Sequence, residues 1–172
     1  MVDMATHLID LLAMFAGPVR RVAALTGNLV QGYNPADATT TLLEFRSGAH
    51  GTVDCFFCIP DEASRTRLEV YGSQGALLSE GTVGQSTGGK LEGLFAQGDK
   101  GYDAAQNKDA VRKFERITFP RINPYTAECE YFAQCILDGR PPTINDGQNA
   151  LTVMRIVEQA LRSSKMKAIL PV

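Results

Sequence analysis

Three features that the sequence lacks narrow the classes of protein it can encode. No run of the 172 residues approaches the roughly 20 apolar residues that a membrane-spanning helix needs. The N-terminus also lacks the basic start and apolar core of a signal peptide. The 17 Lys and Arg are outnumbered by 19 Asp and Glu and form no basic stripe, which argues against nucleic acid as a partner. We therefore expect a cytoplasmic protein that binds neither membranes nor nucleic acid.

Cysteine is also scarce, and four in the chain do not suggest a disulfide framework. Cys55 and Cys58 have the spacing of a metal knuckle or redox pair, but they lie in an apolar segment that we interpret as a strand. An odd spacing on a strand directs the two side chains to opposite faces. Cys129 and Cys135 are six residues apart on a predicted helix, so their side chains also point in different directions. We interpret all four as small buried hydrophobic residues and predict no metal site.

The spacing of the glycines excludes the common dinucleotide-binding loop from this chain. A Rossmann-type loop needs two glycines separated by one residue, so that backbone N–H groups can approach the pyrophosphate. None of the 16 glycines is separated from another in that way, and the Gly-x-x-x-x-Gly-Lys-Ser/Thr pattern is missing as well. We therefore predict that the chain alone binds no NAD or NADP.

The patterns that are present predict a helix, then a run of strands, then two further helices. The apolar stripe of the first helix ends at Gly17-Pro18, a common stop signal. The predicted helices are 3–16, 124–138 and 147–164, and the predicted strands are 20–26, 39–45, 51–59, 65–71, 76–79, 91–95, 112–119 and an edge strand at 168–170. Residues 81–107 otherwise form a predicted loop. This order favours one α+β domain over residues 1–172, with an open, predominantly antiparallel β-sheet and helices on one face.

The sheet face opposite the helices is predicted to be an oligomer interface. On the third strand, Thr52, Asp54, Phe56 and Cys58 share one face because successive side chains alternate. A half-apolar face that helices leave uncovered is more often a subunit interface than bare surface. The alternative is a solvated face with scattered apolar residues.

One polar stripe on the first helix has residues suited to proton transfer. Asp3, Thr6, His7 and Asp10 lie opposite the apolar stripe. An Asp four residues before a His can orient the imidazole and raise its proton affinity, which suits acid–base chemistry near neutral pH. An ordinary surface helix shows the same kind of stripe, and acidic residues favour a helix N-terminus, so spacing alone leaves both interpretations open. His50, which lies beside a turn, is interpreted as structural.

Five segments, in order, resemble the C-terminal domain of one oxidoreductase family. Asp3-x-x-x-His7-x-x-Asp10-Leu11-Leu12 is similar to the segment that opens this domain in the Gfo/Idh/MocA family of glucose–fructose oxidoreductase, inositol dehydrogenase and rhizopine-catabolism proteins. The other four segments are 39–58 and 67–78, which resemble the hairpins of the domain, and 123–142 and 146–165, which resemble its closing helices.

The resemblance implies a two-domain dehydrogenase. Its N-terminal Rossmann domain would bind NAD or NADP and supply a lysine, and its C-terminal domain would form a homodimer or homotetramer through the sheet. Carried over by position, Asp3 and His7 would be catalytic and would bind a sugar or polyol together with Asp10. Because the Rossmann domain is absent from these residues, we expect the chain alone to be inactive. The alternative is a stand-alone, non-catalytic module of the same fold that dimerises or binds a sugar.

Overall fold

The computed structural model describes residues 3–96 and 113–172, which divide into two compact units. One unit comprises Met1–Ala63 and Pro142–Val172, and the other comprises Ser64–Pro141. Each unit contains a four-stranded antiparallel sheet. The predicted α+β class is confirmed, with two open sheets in place of one.

The first unit consists of one sheet and two helices that pack on the same face of it. Its elements are α1 (Met4–Ala16), β1 (Val19–Gly27), β2 (Ala38–Phe45), β3 (His50–Phe56), α3 (Gly147–Met166) and β8 (Leu170–Pro171). The strand order is β3-β2-β1-β8. Alternate strand residues such as Val22, Phe45 and Val53 form one core with Ile9 of α1 and Ile156 of α3. Because strand side chains alternate, the other face of the sheet carries the residues between them.

Capping residues are found at both ends of α3 and at the C-terminal end of α1. Asp146 precedes α3 and its side chain accepts a hydrogen bond from the backbone N–H of Asn149, the usual N-cap arrangement. Lys167 ends α3 in the left-handed conformation, at φ 54°. Gly17 ends α1 at φ 87°, where glycine is preferred because it has no Cβ. These caps fix where the chain enters and leaves the sheet.

The second unit contains the other sheet and one helix. Its elements are β4 (Arg67–Gly72), β5 (Gly75–Glu80), β6 (Lys90–Phe95), β7 (Glu115–Arg116) and α2 (Pro124–Leu137), and its strand order is β4-β5-β6-β7. Gly75 is required in the β4–β5 hairpin, since a Cβ there would lie 2.1 Å from the carbonyl oxygen of Leu94. The side chain of Asn123 caps α2 by accepting hydrogen bonds from the backbone N–H groups of Tyr125 and Thr126.

Two predicted strands are shorter than expected. The third strand ends at Phe56 instead of Ile59, because the N–H of Phe57 donates to the carbonyl oxygen of Asp37 and the chain then bends away. Cys58 is therefore not on the sheet face to which it was assigned. The strand predicted at 112–119 is limited to Glu115–Arg116, which pair with Gly93 and Glu92 of β6. Residue 112, and the part of the predicted 81–107 loop from residue 97, lie outside the described residues.

The cysteines only partly match their prediction. Cys55 and Cys135 are buried, Cys58 is half-buried and Cys129 is exposed on α2, so the prediction is wrong for Cys129. Burial raises the pKa of the Cys55 thiol, which keeps it protonated and unreactive. Within residues 3–96 and 113–172, no group of three or more potential ligand side chains could hold a metal ion. No helix in the described part of the chain is long and apolar enough to cross a membrane.

Candidate functional site

The candidate site lies on α1, whose orientation is set by its apolar side. Ala5 and Ile9 are completely buried against the sheet. The opposite stripe must then face outward, and it carries the residues singled out from the sequence. Asp3 and His7 are exposed and Asp10 is half-buried. The structure therefore places His7 and Asp10 on α1 away from its buried side, and Asp3 at the N-cap position immediately before the helix.

Asp3 and His7 do not contact each other in this structure. Asp3 occupies the N-cap position, but its side chain forms no capping hydrogen bond. Its backbone carbonyl accepts the hydrogen bond of the Thr6 hydroxyl. Among the described residues, no hydrogen bond or ion pair engages the Asp3 carboxylate or the His7 imidazole. Both groups are thus open to a ligand, and the predicted orientation of His7 by Asp3 is not seen as a direct contact.

Asp10 differs from the other two because it already has a partner. Its Oδ1 accepts a hydrogen bond from Nδ2 of Asn149, at 2.8 Å. Asn149 lies in the first turn of α3, so this bond joins the two helices that cover the sheet. The sequence did not single out Asn149, since the two residues are 139 positions apart. The assignment of Asp10 to substrate binding stays a prediction.

Asp37 is a further residue that sequence reasoning missed, and its side chain is completely buried. Its two oxygens accept hydrogen bonds from the backbone N–H groups of Leu29, Val30 and Gln31, each at 2.8 Å. These donors, that of Gln31 most strongly, hold the pKa of Asp37 below its ordinary value against the opposing effect of burial. Because all three hydrogen bonds of its carboxylate come from the loop between β1 and β2, we assign Asp37 a structural role.

The sheet face away from α1 and α3 is partly apolar. Leu25 is 75% exposed, Leu42 54% and Phe56 47%, one from each of three adjacent strands. Beside Leu25 and Leu42, a cleft of about 600 Å³ extends to the C-terminal end of α3. The predicted interface residues Thr52 and Asp54 are exposed on this face, where Asp54 accepts a hydrogen bond from Thr40. This face meets the description of an uncovered, half-apolar surface.

Comparison with known proteins places the helix that carries the site in a known domain family. Residues 1–78 match the model of the GFO/IDH/MocA C-terminal domain. This segment is similar to that domain family. The resemblance inferred from the sequence is thereby confirmed, and the matched GFO/IDH/MocA segment contains α1 and the strands from β1 to β4. No curated protein matched the chain.

Solved structures with the same fold are oxidoreductases. The aldose-aldose oxidoreductase from Caulobacter crescentus, complexed with glycerol, is 17% identical with a TM-score of 0.76, over 99% of this chain and 46% of that one. The WlbA dehydrogenase from Bordetella pertussis, in complex with NADH and UDP-GlcNAcA, is 20% identical with a TM-score of 0.70, over 98% and 46%. A levoglucosan dehydrogenase in complex with NADH and L-sorbose is 17% identical with a TM-score of 0.73, over 99% and 49%. At these identities the likeness concerns the fold, and the GFO/IDH/MocA-like chain spans about half the length of the proteins it matches.

Proposed function

We propose that this chain is the substrate-binding and oligomerisation domain of an NAD(P)-dependent oxidoreductase that acts on a sugar, polyol or related hydroxylated small molecule. The observation that carries the proposal is the exposed pair Asp3 and His7 on α1, within the segment that matches the family. Proteins of the same fold were solved with NADH, L-sorbose or a nucleotide sugar, which supports this class of substrate.

His7 is the group suited to move the substrate's hydroxyl proton. In oxidation, the imidazole accepts that proton while the carbon that bears the hydroxyl loses hydride and becomes a carbonyl; in reduction, the imidazolium returns it. A nicotinamide, when bound, supplies the hydride chemistry. The Asp3 carboxylate lies one turn before the imidazole and is also exposed. No described residue competes for either side chain.

The described residues do not themselves fit a dinucleotide. No described helix begins at a glycine-rich phosphate loop, since α1 follows Asp3, α2 follows Asn123 and α3 follows Asp146. We therefore assign cofactor binding to a further domain of a longer protein. Isothermal titration of this chain with NADH and NADPH should show no binding, and saturable micromolar binding of either would contradict the assignment.

The proposal is tested on the longest natural protein that carries these residues. The purified protein is incubated with NAD⁺ or NADP⁺ and a panel of aldoses, polyols and nucleotide sugars, and formation of the reduced nicotinamide is followed by absorbance. We expect turnover that depends on both the hydroxylated compound and one cofactor. Saturable sugar binding without turnover under any combination would instead favour the non-catalytic sugar-binding module.

We also propose that the uncovered sheet face forms a homodimer or homotetramer. A specific interface should bury more than about 1,000 Å², and this face offers side chains from three adjacent strands for it. Leu42→Asp should reduce the mass measured by light scattering after size exclusion, because a charge at the centre of an apolar interface must be desolvated. Met14→Gln, a change to an exposed apolar side chain on α1, should leave it unchanged. A wild-type monomer at tens of micromolar would contradict the proposal.

A further inference from the structure

Asn149 forms a hydrogen bond that joins α3 to the helix that carries the candidate site. Its backbone N–H donates to the N-cap carboxylate of Asp146 at 2.8 Å, which fixes its place in the first turn of α3. Its side-chain Nδ2 donates to Oδ1 of Asp10 at 2.8 Å and lies 3.4 Å from Oδ1 of Asn145. Asn145 has φ 52°, a left-handed conformation that asparagine tolerates better than most residues. Asn149 is therefore held by three hydrogen bonds, two from its side-chain amide and one from its backbone N–H.

The bond to Asp10 determines how α1 is rotated about its axis. Asp10 lies three residues after His7, and residues three or four apart lie on the same side of a helix. Ile9, the preceding residue, points about 100° away around the helix and packs into the core, so the core contact and the Asn149 bond fix the same turn from two directions. The carboxylate also lies beside the N-terminus of α3, where the helix dipole favours a negative charge. A change at Asn149 would therefore change the direction of His7.

We propose that Asn149 is a positioning residue, which orients the Asp3–His7 stripe by fixing Asp10, and that Asp10 acts through this hydrogen bond and not by binding substrate. The inference rests on the proposed function for its catalytic consequence. Asn149 has no predicted contact with substrate, and its effect passes entirely through the rotation of α1.

Exchanging the two side chains distinguishes positioning through the Asn149–Asp10 hydrogen bond from an effect of the negative charge of Asp10. Asn149→Asp places two carboxylates together and removes the donor. Asp10→Asn keeps an oxygen that accepts from Asn149, so the bond should survive. The double variant Asp10→Asn/Asn149→Asp restores one donor and one acceptor with their direction reversed. Gln148→Ala, which shortens an exposed side chain in the same helical turn, is the matched control.

The first readout is the imidazole NMR signal of His7 in the chain as it stands, which contains two histidines. His50, at the start of β3, serves as the internal reference. We expect Asn149→Asp to shift the His7 signal but not that of His50, and the double variant to return it to the wild-type position. If Asn149→Asp does not fold, Asn149→Ser, which is too short to reach Asp10, should produce the shift. An unchanged His7 signal in the single variant, or an unrestored signal in the double variant, would overturn the proposal.

The second readout is steady-state kinetics of the longer natural protein. Small misplacements of a catalytic group can lower turnover by about 100-fold, so Asn149→Asp should reduce kcat by about 10- to 100-fold and leave the KM for the cofactor unchanged. The double variant should recover most of that loss, and Asp10→Asn alone should cost less than about threefold on the same basis. A loss in Asp10→Asn as large as that in Asn149→Asp would show that Asp10 acts through its charge and would overturn the proposal. If the wild-type protein has no dehydrogenase activity, the proposed function fails, and the His7 signal still decides whether Asn149 positions the helix.

Discussion

Ser163, near the end of α3, is the residue whose removal tests most sharply how this unit is held together. Its hydroxyl is buried and has two backbone partners. It accepts a hydrogen bond from the N–H of Ala24 at 3.1 Å and donates one to the carbonyl oxygen of Ala168 at 2.6 Å. One side chain thus joins the middle of β1 to the turn that leads into β8. Ser163→Ala removes both bonds and leaves almost no cavity.

The expected cost comes from the two backbone groups that lose their partner. An unsatisfied buried polar group costs about 1–3 kcal/mol, and a partly exposed one costs less because water can replace the bond. The N–H of Ala24 is in a buried contact, whereas the Ala168 carbonyl is partly buried. We therefore expect Ser163→Ala to lower the free energy of unfolding by about 2–4 kcal/mol. For a domain stabilised by about 5–15 kcal/mol, this is a large fraction.

Ser164 is a matched control one residue away. Its hydroxyl accepts a hydrogen bond from a backbone N–H of β1, that of Thr26 at 3.1 Å, and forms a second one with the Thr26 hydroxyl at 2.9 Å, but it lines the open cleft. Water should replace its hydroxyl, and Ser164→Ala should cost about 1 kcal/mol or less. Urea unfolding followed by circular dichroism measures both, and at a typical slope of about 2 kcal/mol per molar urea the two midpoints should differ by about 1 M. Equal midpoints for the two variants would refute the reasoning.

Two further predictions concern the pH dependence and the helix end. The pKa of Asp37 is lowered from 3.8, so the stability it contributes is complete above that value and is lost as the pH falls through the lower folded-state pKa. Asp37→Asn should therefore be less stable than wild type at pH 7 in urea titrations, with a difference that narrows at acid pH, and a constant difference would contradict this. Lys167→Gly should raise the free energy of unfolding by up to about 1 kcal/mol, because glycine adopts the left-handed conformation of this residue without strain. Lys165→Gly, within the last turn of α3, should instead lower it by about 1 kcal/mol, and stabilisation by both changes would show that conformation at Lys167 is not the cause.

The sequence was sufficient for those features that depend on local patterns. The apolar stripe of α1 gave its bounds within one residue, and the alternation around Val53 identified which face of β3 is buried. The hairpins were found because their turns are short. The division into two sheets was not, since alternation specifies the faces of a strand but not its neighbours in the sheet.

Two of the features that sequence reasoning missed are contacts between residues far apart in the sequence. The bonds from Asn149 to Asp10 and from Ser163 to Ala24 each span 139 positions, and no local pattern indicates them. Aspartate is common in turns, so Asp37 does not stand out in the sequence. Its burial follows from the way the preceding loop folds around it. The early end of β3 follows from the same loop, since the N–H of Phe57 is taken by the carbonyl of Asp37.

The most direct test of the proposed function is the turnover of His7→Asn in the longer natural protein, measured on its identified substrate. Asparagine keeps the polar stripe but cannot take up the proton, so kcat should fall by about 10²- to 10⁴-fold while cofactor affinity is unchanged. Asp3→Asn should also lower turnover, and Thr6→Ala, on the same stripe, should cost far less. Wild-type turnover in His7→Asn would contradict the assignment of His7 as the proton-transfer group.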